Sequence, residues 1–165
     1  MFAYDPSEWS DLFVATAGAS AALLGLLFVA VSINLERILG FQGLPERALE
    51  TLMLLLGVLV ASIAGLVPGQ SALALGLELL ALGLAMAAGA ARLPVTYAAD
   101  SGAGSIGWRL GRHGVRAASI GPILVAGITL VLEGGGGLYW LAAGIAFSIF
   151  GAVVGAWVLL VEILR

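Results

Sequence analysis

Long runs without a charged residue alternate along the chain with short segments that hold its polar positions. Leu12 to Leu35 and Thr51 to Leu77 carry no charge at all. A hydrocarbon core about 30 Å thick is crossed by roughly 20 apolar residues at 1.5 Å each. The first run therefore makes one span, and the second makes two, divided by the turn "VPGQ" at 67–70. The expected spans are 12–35, 48–67, 71–91, 117–132 and 138–161. The fourth is short, and Arg116 and Glu133 at its ends are expected to snorkel outward. Should it only re-enter, the count falls to four. "GGGG" at 134–137 is a flexible turn, and the glycine- and arginine-rich stretch 92–116 is the one long connection. The pattern predicts an all-α, single-domain membrane bundle of five transmembrane helices.

Composition strengthens this picture. Hydrophobic residues make up 61% of the chain and charged residues 10%, against about a quarter charged in soluble domains. There is no cysteine, and His113 is the only histidine, so thiolate chemistry is excluded and no cofactor or metal centre is expected. The opening "MFAYDPSEWSD" has three acids and no base. A secretory signal starts with positive charge, so the first run reads as a retained span. Asp5, Pro6 and Glu8 have the order of a helix cap.

All seven basic residues are arginine, and their placement sets the orientation. Arg37 and Arg47 follow span one, Arg92, Arg109, Arg112 and Arg116 follow span three, and Arg165 follows span five. Five spans put all seven on one side. The positive-inside rule then predicts the N-terminus out, the C-terminus in and 92–116 as a cytoplasmic loop, in a bacterial inner membrane. Trp9, Phe13, Tyr139 and Trp140 are expected at the outer boundary, with Phe41 and Trp108 at the inner one, as an aromatic belt.

Helices in lipid associate by close packing at small residues. Ala17, Ala21 and Gly25 form one such row on span one, with Gly18 and Ala22 beside it. Gly144 and Ser148 continue toward Ala152 on span five, with Gly151 and Gly155 on the next row, and span three carries Gly76, Gly83 and Gly89. So many rows on five helices predict a homo-oligomer or a membrane protein partner.

Few residues look like chemistry. "GAGSIG" at 102–107 has the letters of a dinucleotide fingerprint but lacks the preceding strand, and reads as a loop. "WRLGRHGVR" at 108–116 suits anionic headgroups, with Arg109, Arg112 and Arg116 as lipid contacts. Asn34 is placed to cap span one, and Glu36–Arg37 and Glu46–Arg47 read as solvated. Pro122 predicts a kink in span four. The exception is Glu78, the one charge expected deep in a span. A carboxylate there costs about 2.5–3.5 kcal/mol or more and by default marks a site. Ser20, Ser62, Thr129 and Ser148 are expected at similar depth, and with Glu78 they would form a polar layer along an ion or substrate path. The alternative is that Glu78 hydrogen-bonds across helices as structural glue.

The stretch "GASAALLGLLFVAVSINLERIL" at 18–39 resembles small bacterial membrane proteins without assigned function, some of them labelled modulators of a membrane protease. The resemblance implies an envelope protein and carries no catalytic residue. The expected function is a non-enzymatic, channel- or transporter-like role around Glu78. An accessory or regulatory subunit of a larger membrane complex is the alternative. Membrane lipids are expected partners and nucleic acid is not.

Overall fold

The computed structural model describes residues 2–93 and 106–163, with side chains except at 106–110 and 163. Its helices are α1 (Ser10–Ile33), α2 (Leu35–Gly40), α3 (Leu44–Gly65), α4 (Ala72–Arg92), α5 (Ile106–Val131) and α6 (Leu138–Ile163), and no strand occurs among the described residues. Five segments are long and apolar enough to cross a membrane: Pro6–Ile33, Leu44–Gly65, Ala72–Arg92, Gly111–Val131 and Leu138–Glu162. The chain is a multi-pass, all-helical membrane protein.

Local chemistry sets the helix ends. Asp5 accepts hydrogen bonds from the Ser7 N–H (3.0 Å) and hydroxyl (2.6 Å), starting the 3₁₀ turn Pro6–Trp9 that leads into α1. Asn34 donates its side-chain amide to the Ala30 carbonyl at 2.9 Å, closing α1 two residues before the expected boundary. Gly43 enters α3 at φ 88°, followed by Leu44–Pro45, so the second span begins four residues earlier than expected. Ser71 caps α4 by accepting from the Ala74 N–H. The largest difference is at span four, where the helix starts at Ile106, inside the segment expected to be a cytoplasmic loop. Span four, Gly111–Val131, is therefore long enough to cross, and Pro122 lies within the continuous helix. Charge alone set the expected boundary at 117. Arg112 and Arg116 lie within the helix, where they share one carboxylate, as described below.

Helices α3, α4, α5 and α6 close into a ring, each packed on two neighbours, while α1 lies outside and rests mainly on α3. The core between them holds Val58, Ala61, Leu75, Leu79, Ile123 and Leu130, all buried. Phe13, of α1, is wholly buried against Gly65, so its ring packs into the core. Gly76 of α4 and Gly127 of α5 face each other so closely that a Cβ on Gly127 would stand 2.9 Å from the Gly76 carbonyl oxygen.

At one end of the ring the 134–137 turn is tied to the N-terminus. Gly135, Gly136 and Gly137 all have positive φ, which glycine adopts without steric cost. The Gly136 N–H donates to the Tyr4 hydroxyl at 3.2 Å, the Trp140 indole donates to the Gly135 carbonyl at 2.9 Å, and Trp9 meets Tyr139 edge to face at 4.9 Å.

Candidate functional site

Glu78 is exposed on α4, outside the ring. A helical side chain leans toward its helix N-terminus, which for α4 is the 66–71 turn. There the Gln70 amide donates to Glu78 Oε2 at 2.7 Å. The carboxylate is thus drawn back toward the boundary rather than held at the depth of its Cα.

The hydroxyls expected beside it lie elsewhere. Thr16 and Ser62 share a 2.8 Å hydrogen bond between α1 and α3, and Ser20 donates to the Thr16 carbonyl at 2.6 Å. Thr129 bonds within its own helix, to the Val125 carbonyl. Ser148 is buried on α6 with no hydrogen-bond partner, as is Ser119 on α5. A polar layer of Glu78 with Ser20, Ser62, Thr129 and Ser148 is not what the fold assembles. Glu78 is exposed on α4, whereas Ser20, Ser62 and Ser148 are buried against other helices.

The small-residue rows also divide. On α6, an added Cβ at Gly144 would meet Ile123, at Gly151 Val115, and at Gly155 Thr51, so this face packs on α5 and α3, with Ser148 buried between. On α1, Ala17 is half-buried, while Gly18, Ala21, Ala22 and Gly25 are exposed. Nothing lies within 4 Å of a Cβ built on Gly18 or Gly25. Among the described residues, nothing packs closely on this row at Gly18 or Gly25.

The charged residues that do come together are at the opposite end from Glu78. Glu50, near the start of α3, accepts from Arg112 Nε at 2.8 Å and pairs with its Nη2 at 2.6 Å. Its other oxygen accepts from Arg116 Nε, and Arg116 Nη1 donates to the Ala90 carbonyl of α4 at 3.1 Å. The three side chains are 15%, 10% and 10% exposed. Arg112 and Arg116, expected to meet headgroups as loop residues, instead lie one turn apart on α5 and clasp one acid. The Arg109 side chain and the start of "GAGSIG" at 102–105 lie outside the described residues. Arg47, one turn before Glu50 and expected in solvent, pairs with Glu162 of α6 at 3.7 Å.

Sequence reasoning passed over Glu50, which falls inside the expected second span 48–67 but only two residues from its start, just before the uncharged run from Thr51. The available signal was spacing: Arg47 and Glu50 share a helix face, as do Arg112 and Arg116 at i, i+4.

Two clefts flank this cluster. One, of about 340 Å³, lies among α3, α5 and α6 and is lined by Arg47, Glu50 and Arg112 with Leu54, Val115 and Val158. The other, of about 700 Å³, lies between α4 and α5 and is lined by Arg116 and His113 with Ala87, Ala90, Ile120 and Leu124. No three of His, Asp and Glu converge on a metal position among the described residues. The arrangement is suited to fastening helices and binding anions.

Compared with family models, curated proteins and solved structures, the chain matches none.

Proposed function

We propose that the chain is a non-catalytic, multi-pass subunit of a bacterial inner membrane that assembles with further copies of itself through the outward face of α1. The observation that carries this reading is the row Gly18, Ala21, Ala22 and Gly25, exposed and with nothing packed closely at Gly18 or Gly25. Small residues let two helix backbones approach closely in lipid, where packing replaces the hydrophobic effect. On α6 the same device is filled by α3 and α5; on α1 it is left for another molecule. The arginine placement supports an N-terminus out and a C-terminus in. An accessory role beside a larger membrane protein would use the same face, in keeping with the resemblance at 18–39.

Native mass spectrometry of the protein in mild detergent tests this directly. The wild type is expected as an oligomer, and Gly18→Leu combined with Gly25→Leu as a folded monomer, because both positions have room within one chain. A wild type that stays monomeric at every concentration overturns the proposal.

A second reading, a channel- or transporter-like role, is favoured by Glu78 itself: an exposed carboxylate held by Gln70 is presented to whatever covers α4. Ion flux into proteoliposomes that falls in Glu78→Gln supports it. Equal flux in both proteins removes Glu78 from any path.

A further inference from the structure

The Glu50 cluster is left with one positive charge in excess. Arg112 and Arg116 share the single Glu50 carboxylate, while Arg47 is matched by Glu162. Arg116 is only 9% exposed, and its Nη2, like that of Arg112, is buried without a hydrogen bond among the described residues. A buried N–H group lacking an acceptor is costly, more so when charged. Arg116 also lines the 700 Å³ cleft between α4 and α5, whose only other ionisable lining residue is His113. No acid lines this cleft among the described residues.

The shape of the cleft adds to its charge. Along α5 its lining runs from His113 to Leu124, eleven residues, or about 16 Å of helix. Arg116 and His113 are at the end nearer the start of α5, where Arg116 meets the Ala90 carbonyl of α4, and beyond Arg116 the α5 wall is Ala117, Ile120, Gly121 and Leu124. Ala87, Ala91 and Leu93 complete the lining. The cleft is therefore polar at one end and apolar along the rest.

We infer that this cleft holds an anionic phospholipid, its phosphate at the end lined by Arg116 and His113 and an acyl chain along the apolar wall between α4 and α5. The phosphate balances the excess charge, and guanidinium is well matched to phosphate geometry. A soluble anion would satisfy the charge but leave the apolar length of the cleft uncovered. The site is separate from the α1 face and does not depend on oligomerisation.

Two variants test the site. Arg116→Gln removes the charge but disturbs the Glu50 pair. Gly121→Leu fills the cleft and leaves that pair intact, since nothing lies within 4 Å of a Cβ at Gly121. The readout is native mass spectrometry after incubation with equimolar phosphatidylglycerol and phosphatidylcholine. The wild type is expected to retain phosphatidylglycerol with roughly tenfold preference, because both lipids offer the phosphate but only phosphatidylcholine brings a headgroup cation against the excess positive charge of the cluster. Gly121→Leu and Arg116→Gln are expected to lose the preference, and Gly18→Leu to keep it. Equal retention of both lipids by the wild type overturns the inference, as does an unchanged preference in Gly121→Leu. Inorganic phosphate alone displacing the lipid completely would also overturn it, by showing that the acyl chain contributes nothing.

Discussion

Removing the Glu50 carboxylate leaves two guanidiniums, each about nine-tenths buried, facing a space with no counter-charge. Breaking a buried pair by deleting one partner typically costs about 3–5 kcal/mol. Glu50→Ala is expected to lose stability in that range, measured by denaturant titration in mixed micelles. Ser119 and Ser148 are the opposite case. Their hydroxyls are buried without partners, so Ser119→Ala and Ser148→Ala are expected to be neutral or slightly stabilising in the same assay, since each removes an unsatisfied group. At the N-terminus, the Ser7 hydroxyl and N–H hold the Asp5 carboxyl below its ordinary range. A lowered value means the cap is in place above the ordinary Asp pKa of about 3.9 and is lost as pH falls through the lowered one. A carboxyl titration by NMR is expected to show that displaced midpoint. Glu78 shows how far single residues were legible. Its unusual place in an apolar run was plain from the sequence. The direction of its side chain was not, because that depends on the turn at Gln70 folding back over α4.

At the scale of elements, uncharged length was a good guide to the number of spans and a poor one to their ends. The count of five follows from the runs between charges, and the third and fifth spans fall within a residue or two of their expected bounds. The fourth was cut short because a membrane boundary was drawn at Arg116, and nothing in α5 alone reveals the acid on α3 that Arg112 and Arg116 share. Helix contacts divided similarly. The glycines of α4 and α6 do meet other helices, whereas Gly18 and Gly25 in the equally regular row on α1 do not, since spacing shows that a face can pack closely but not that a partner is present. At the Gly76–Gly127 crossing the backbones of α4 and α5 come close together. Gly127→Ala places its Cβ 2.9 Å from a carbonyl oxygen, and backbone cannot yield as a side-chain tip can. Overpacking of this kind costs about 1–3 kcal/mol, and the variant is expected to unfold correspondingly earlier in the denaturant titration. Gly121→Ala, on the same helix with open space, is expected to show no such loss.

For the whole molecule, the ring of α3 to α6 and the peripheral α1 have unequal hold on each other. Only 17% of the first span's most apolar window is buried, against 50% for the second, and its described hydrogen bond across to another helix is Thr16 to Ser62. Such a bond is worth about 0.6 kcal/mol on average in membranes. At the Tyr4–Gly136 and Trp9–Tyr139 contacts, however, residues that precede α1 meet residues some 130 positions further along the chain. That junction sets an order of events during synthesis. It cannot close until residues 135–139 have been made, well after α1. The assembly proposed for the α1 face can therefore begin before this junction forms.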